Sequence, residues 1–254
     1  VIKMPRGKRK RSKTGIYHIM LRGINGCEIF LDNEDREKFM KALLKAKEKG
    51  QFLLYGYCLM DNHIHLLLKE SEEIGRSIKR IAVSYVQWFN NKYGREGHLF
   101  QNRFKSEVVE SESYLLVVLR YIHQNPIKAK IVNTIKDFRW SSYNQYIKEY
   151  NGKKVEIDTN IIKSYFTNKE SFERYMNEVN KHKCLDYNNR KKYSDVQLKT
   201  EIEVKYPIEK IKEMTRNERN QLINNIKQDT KCSIRQLSRV LGVGRGVIEK
   251  AIKK

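Results

Sequence analysis

The chain has 254 residues, enough to bury a sizeable core, and 39% hydrophobic content with 15 Tyr, 9 Phe and 2 Trp excludes a globally disordered polymer. Its 52 Lys and Arg against 30 Asp and Glu give a formal net charge of +22, which points to a polyanionic partner, nucleic acid first and an anionic membrane surface second. No apolar run approaches the roughly 20 residues of a membrane span, the basic start leads into no secretory apolar stretch, and Cys27, Cys58, Cys184 and Cys232 are dispersed. The expectation is an intracellular, cytoplasmic protein with reduced thiols and no zinc ribbon.

The charge is uneven along the chain. Residues 1–13 hold seven basic and no acidic groups, residues 14–150 hold 21 and 16, and residues 151–254 hold 24 and 14. Basic ends therefore flank a nearly balanced middle.

In chain order, residues 16–22 read as a strand, and residues 33–49 as a helix with Phe39, Leu43 and Ala46 on one stripe, closed by Gly50. Residues 52–60 and 63–69 are apolar runs separated by Asp61-Asn62, a hairpin signal. Residues 74–93 form a long amphipathic helix through Ile74, Ile78, Ile81, Tyr85 and Trp88. Residues 99–110 read as a strand with Arg103 and Lys105 on one face, and residues 112–124 as a helix stopped by Pro126. The order β-α-β-β-α-β-α predicts an α+β fold, a split-βαβ antiparallel sheet with helices on one face. Residues 158–180 read as helical, and the polar stretch 186–206 before Pro207 as a linker. The last forty residues regain order: a Thr215/Glu218 capping box, a second helix opened by Ser233 and ended by Gly242, and a third with Val247, Ile248 and Ile252. That spacing predicts an all-α helix-turn-helix domain. The expected division is 1–13 basic arm, 14–150 catalytic domain, 151–214 helical extension and linker, and 215–254 DNA-binding domain.

Two constellations carry chemistry. In His63-Ile64-His65, residues i and i+2 of a strand share a face, so both imidazoles point to the open side of the sheet, where they could chelate a divalent ion. A surface His pair fits that pattern equally well. Tyr121 and Asn125, one helical turn apart, lie on one face, so an amide oxygen could complete a metal site while the phenol addresses what the metal holds. Gln124 is a second amide next to it. His18 and His123 read as packing or supporting hydrogen bonds, and Trp140 and Tyr143 as core aromatics. No G-x-x-x-x-G-K-[ST] loop is present, and Gly242-Val243-Gly244-Arg245-Gly246 reads as the turn of the helix-turn-helix.

Taken together, Tyr17-His18 with Arg22-Gly23, Asn62-His63-Ile64-His65, Gly97 through Ser106, Tyr121-Ile122-His123-Gln124-Asn125-Pro126 and Trp140-Ser141-Ser142-Tyr143 resemble the single-tyrosine HUH transposases, in particular the REP-associated tyrosine transposases. The resemblance implies an RRM-like sheet, a divalent metal (Mg²⁺ or Mn²⁺) on His63, His65 and Asn125, and Tyr121 as nucleophile. It further implies cleavage and rejoining of single-stranded DNA at hairpin-associated sites through a 5′-phosphotyrosine, in a monomer or homodimer. Arg103 and Lys105 are candidate phosphate contacts of this domain. Arg245, Lys250 and Lys253, off the apolar stripe of the last helix, are those of the C-terminal domain, which resembles the helix-turn-helix of bacterial replication initiators and Trp repressor. A non-catalytic DNA-binding regulator of the same fold is the alternative. An RNA-binding RRM-type module would need exposed aromatics where His63 and His65 stand.

Overall fold

The structure, a computed structural model, describes residues 9–180, 182, 184–186, 195–211, 213–230 and 232–252. It divides into two compact units, residues 1–186 and 187–254. Among the described residues no helix is long and apolar enough to cross a membrane, and all four cysteines are free thiols.

The first unit contains β1 (Ile16–Arg22), α1 (Asn33–Gly50), β2 (Leu53–Met60), β3 (His63–Lys69), α2 (Ile74–Tyr93), β4 (Lys105–Val108) and α3 (Glu112–Lys128). The strands form one antiparallel sheet in the order β2-β3-β1-β4, the split-βαβ topology that the element order predicts. In β1 the six residues Ile16–Leu21 are all buried; unbroken burial along a strand means that both faces of the sheet are covered. Leu21, on the Ile64 side of the sheet, shares a cavity wall with Ile78 and Ala82 of α2. On the opposite side α3 crosses β2 so closely that a Cβ on Gly56 would stand 2.6 Å from Leu119 Cδ1. The face that the sequence leaves open is therefore roofed by α3, the helix that carries Tyr121.

Local chemistry fixes the ends of these elements. Asp32 and Asp35 form a reciprocal capping box at the start of α1, and Lys92 near the end of α2 binds Asp32, Glu34 and Asp35 together. The fourth strand is shorter than the sequence pattern suggests. Asn102 adopts a left-handed φ of 58°, so the chain leaves extended geometry there, and Phe100 keeps only an isolated bridge to Gly23. Helix α3 runs on through Pro126 to Lys128. A proline in the last turn removes one backbone donor, and the Ala129 and Lys130 N–H groups close the helix onto the Asn125 and Ile127 carbonyls.

Beyond α3 come α4 (Tyr143–Tyr150), α5 (Asn160–Lys163) and α6 (Lys169–Asn177). Ile157, Ile162, Phe172 and Met176 join the core of the first unit, and Asp158 bonds both backbone groups of Leu54 in β2. The second unit contains α7 (Asp195–Glu203), α8 (Arg216–Thr230), α9 (Ile234–Leu241) and α10 (Arg245–Ile252). Leu198 and Ile202 of α7, one turn apart, enter its core with Ile223, Ile226, Leu237 and Ile248. The stretch 151–214 is thus shared between two cores rather than standing apart, and residues 195–203, within the expected linker, are helical. The Thr215/Glu218 box, the Ser233 cap and left-handed Gly242 (φ 62°) stand where the sequence places them.

Candidate active site

Strand pairing builds the site. In the β1–β3 register Met20 faces His65 and Arg22 faces His63, while His18 lies one pleat along on the same side, facing Leu67. The β1–β4 register sets Glu107 opposite His18 and Lys105 opposite Met20. His18, His63, His65, Lys105 and Glu107 therefore share the face that α3 covers. Tyr121 reaches them from the helix: its ring centroid is 5.9 Å from that of His18 and 5.8 Å from that of His65. The rings of His63 and His65 are 5.0 Å apart.

The hydrogen bonds give the cluster a direction. His18 Nε2 and His65 Nδ1 are 2.9 Å apart, and His18 Nδ1 lies 3.5 Å from Glu107 Oε2. A carboxylate at the outer end favours a proton on His18 Nδ1, so His18 Nε2 accepts from His65 Nδ1–H. His65 Nε2, buried and without a hydrogen-bond partner, then carries a bare lone pair. At His63 the partner of Nδ1 is Asn62 Oδ1 at 2.7 Å. The Asn62 amide nitrogen is turned to the Gly26 carbonyl at 3.4 Å, which orients Oδ1 as the acceptor and leaves His63 Nε2 bare as well.

Burial holds these imidazoles neutral, the form that ligates metal. His65 is held well below the usual histidine range by burial, with His18, His63 and Lys128 adding to it. Burial lowers His63 to about 4, Arg22 adding to the shift and Asp186 opposing it. The Tyr121 phenol is pushed up, first by burial and then by Asp186. Its Oη is buried and lacks a hydrogen bond of good geometry, and Lys128 Nζ sits 4.1 Å from the centre of its ring.

The residues singled out by sequence separate accordingly. His63, His65 and Tyr121 come together. Asn125 is buried one turn beyond Tyr121 and donates from Nδ2 to the Tyr121 carbonyl at 3.0 Å, which leaves its Oδ1 as an acceptor. Gln124 is committed elsewhere, donating to the Met176 and Glu178 carbonyls at 2.8 and 2.7 Å. His123 bonds Ser142 Oγ at 2.8 Å within the core, and Trp140 donates to Asn33 Oδ1 at 3.0 Å. Lys105 is exposed on the histidine face, its Nζ 3.3 Å from the Asp186 carbonyl. Arg103 precedes the strand rather than alternating with Lys105 along it, because the chain turns at Asn102. Arg245 and Lys250 are exposed on α10; Lys253 lies outside the described residues. Sequence reasoning misses Glu107, Lys128 and Asp186. Glu107 has a usable signal, its spacing of two from Lys105 on a strand; Asp186 has none, because it arrives from the segment after α6.

Among the described residues no three His, Cys, Asp or Glu side chains gather as a metal-binding group. The donor types available are a buried and a half-buried imidazole, each with a bare Nε2, and the Asn125 amide oxygen on the roofing helix; such a donor set leaves room for further oxygen ligands and fits the chemistry of a hexacoordinate divalent ion.

The chain is similar to known proteins over this same region. Residues 12–125 match the family model described as "Transposase IS200 like". The protein "Putative REP-associated tyrosine transposase" of Haemophilus influenzae is 28% identical over 154 residues, which span 56% of this chain and 86% of that one. A solved structure of a REP-associated tyrosine transposase bound to a REP hairpin superposes with a TM-score of 0.50 at 18% identity, covering 61% of this chain and 91% of that one, a likeness of fold. The matched residues 12–125 hold the sheet, the paired histidines and the helix-borne tyrosine, and over them the chain is similar to the IS200-like transposases.

Proposed function

We propose that this transposase cleaves and rejoins single-stranded DNA at a hairpin-associated site, with Tyr121 as nucleophile and a divalent cation, Mg²⁺ or Mn²⁺, on His63, His65 and Asn125. The observation that carries the reading is the meeting of the Tyr121 phenol with a fully buried His65 whose Nε2 is left bare by its own hydrogen bond. A DNA hairpin in a structure of similar fold supports the choice of substrate.

The residues present divide the work. Tyr121 Oη attacks phosphorus in line, the P–O3′ bond breaks, and the strand is left with a free 3′-hydroxyl and a 5′-phosphotyrosine. Because the phosphotyrosyl bond replaces the phosphodiester, the 3′-hydroxyl can reverse the step without a nucleotide cofactor. The proton leaving Oη has the facing Asp186 carboxylate as an acceptor, and the departing 3′-oxygen takes one from solvent. A phenol whose pKa is raised by burial and a nearby carboxylate is a weak nucleophile by itself. A cation bound at the His pair supplies charge stabilisation for the phosphate oxygens and favours the phenolate. Lys105 and Lys128 border the same face and suit phosphate.

The second unit adds affinity in this reading. Helices α9 and α10 enclose the turn Gly242–Gly244, and α10 exposes Arg245 and Lys250 while burying Ile248 and Ala251. Arg239 of α9 is held by Asp195 through two contacts at 2.6 and 2.9 Å, whereas Arg245 and Lys250, turned outward on α10, suit a phosphate backbone.

Three results are expected. Full-length protein mixed with a labelled hairpin strand and Mn²⁺ forms a covalent adduct visible on a denaturing gel, and Tyr121→Phe loses the adduct while keeping its affinity for the strand; an adduct retained by the variant would assign the nucleophile elsewhere, and tight binding without any adduct in the wild type would favour the regulator. Glu107→Gln, which weakens the polarity of the His18–His65 pair, lowers Mn²⁺ affinity by calorimetry by about 10-fold or more, in the range for supporting ligand-shell changes, with an unchanged melting curve; equal affinity would remove Glu107 from the metal site. Replacing Arg245 and Lys250 by Gln reduces the slope of log affinity against log salt by about 1 for each phosphate that is no longer neutralised, whereas an unaltered slope would mean that α10 does not touch DNA.

A further inference from the structure

Helix α3 runs past Pro126 to Lys128, and beyond it the Ile131 N–H turns back to the Pro126 carbonyl at 2.9 Å. Residues four and seven positions apart share one side of a helix, so Tyr121, Asn125 and Lys128 line up along α3. The last of them touches the first: Lys128 Nζ lies 4.1 Å from the centre of the Tyr121 ring. Tyr121 is only 4% exposed, whereas Lys128 is exposed, so the ammonium covers the ring from the solvent side. The imidazoles of His18 and His65 meet the same ring edge-to-face.

The other surroundings of the phenol oxygen oppose a negative charge. Tyr121 Oη is buried without a hydrogen bond of good geometry, and burial holds His18 and His65 neutral. Burial, Asp186, Cys184 and Glu107 all push the phenol towards its protonated form. Asp186 and Cys184 also face Lys128, where they favour the ammonium against the effect of burial.

The proposed reaction nevertheless places charge on Oη in both directions. In cleavage Oη attacks as it loses its proton. In rejoining the 3′-oxygen bonds to phosphorus and gives its proton to solvent, the P–Oη bond breaks with its electron pair left on Oη, and Oη then regains a proton from solvent. A cation over an aromatic face attracts a neutral ring through the ring quadrupole. It attracts a phenolate through a full charge, which is the stronger force in a poorly solvated place. Only the attraction that grows towards the transition state speeds a step, and Lys128 is placed to supply it. We propose that Lys128 is the counter-charge of Tyr121: its ammonium, stacked on the ring, stabilises the phenolate as it departs in rejoining and the phenol oxygen as it attacks in cleavage. The assignment rests on Tyr121 being the nucleophile, and the group on which Lys128 acts is the tyrosine oxygen rather than the phosphate.

The test uses the full chain, a labelled hairpin strand and Mn²⁺. The covalent adduct is allowed to form to completion, an excess of strand ending in a 3′-hydroxyl is added, and rejoining is followed over a single turnover. It is run with either tyrosine or difluorotyrosine at position 121, because fluorination makes the phenolate a less basic leaving group that needs less stabilisation. Lys128→Gln is expected to slow rejoining by about 10-fold or more with tyrosine, short of the effect of losing a donor bonded directly to an oxyanion, and by a smaller factor with difluorotyrosine. Lys128→Arg, a cation that also stacks on aromatic rings, restores most of the rate. Since Lys128 is exposed, the melting curve is expected to stay at its wild-type position, and the loss falls on the rate at saturating strand rather than on affinity. Rejoining at the wild-type rate in Lys128→Gln overturns the assignment. So does a loss of equal size with both phenols, which would make Lys128 a packing or phosphate contact. A wild type that forms no adduct defeats the phosphotyrosine reading and this assignment with it, whereas a normal adduct whose rejoining ignores Lys128 defeats this assignment alone.

Discussion

The hydrogen bond between His18 and His65 is the constraint around which the rest of the site is arranged. Both rings are fully buried in a sheet covered on both faces, where a polar group left without a partner is destabilising. The two imidazoles therefore satisfy each other at 2.9 Å, and this can be done in only two directions. Glu107, placed by the β1–β4 register at the outer end, selects the direction that leaves His65 Nε2 without a proton. The central strand thus acts as a spacer that couples a carboxylate on one neighbouring strand to the His65 imidazole on the other. Burial then prevents the imidazoles from protonating near neutrality, and the roof that α3 provides brings the phenol of Tyr121 against them. Imidazole tautomer, imidazole charge and the position of the Tyr121 phenol follow from one packed layer.

The fold reads well from the sequence where pattern is local. β1, β3 and α2 stand at the expected residues, because alternating or helical apolar spacing and short turns determine them. The departures arise where a long-range contact decides. Phe100 and Arg103 look like strand residues until the left-handed turn at Asn102 removes them from β4. Residues 195–203 look like linker because only Leu198 and Ile202 are needed to dock the helix, and two apolar residues make a weak signal. At the site, the His pair and Tyr121/Asn125 are visible from spacing and from the family resemblance. The covering of the histidine face is not, since the roof depends on α3 packing against Gly56. Gln124 and Asn125 are indistinguishable as letters; their helical phase separates them, turning Gln124 to the carbonyls after α6 and Asn125 to Tyr121.

The +22 charge acquires a geography. The histidine cluster itself is neutral, and the cations stand around it: Arg22 at the edge of the sheet, Lys105 on β4 and Lys128 beyond the tyrosine. Arg9, the first described residue of the basic arm, is packed on Phe104, so the arm contributes to the wall of a recess as well as to the total charge. In the second unit Arg245 and Lys250 are exposed on α10, whose Ile248 and Ala251 enter a small, mainly aliphatic core. A neutral histidine cluster bordered by cations would, in the proposed function, concentrate a polyanion without a fixed positive charge among the imidazoles.

The central claim is that the fold presents His63 and His65 Nε2 together as ligands, with protons fixed on the opposite nitrogens. Pulsed electron paramagnetic resonance of the full chain loaded with Mn²⁺ tests it directly, because nitrogen modulation of the echo reports each coordinated imidazole. The account predicts modulation from two imidazole nitrogens, reduced to one in His63→Ala and in His65→Ala and lost when both are replaced. Tightly bound Mn²⁺ with no nitrogen modulation, or modulation unchanged in both single variants, would contradict it.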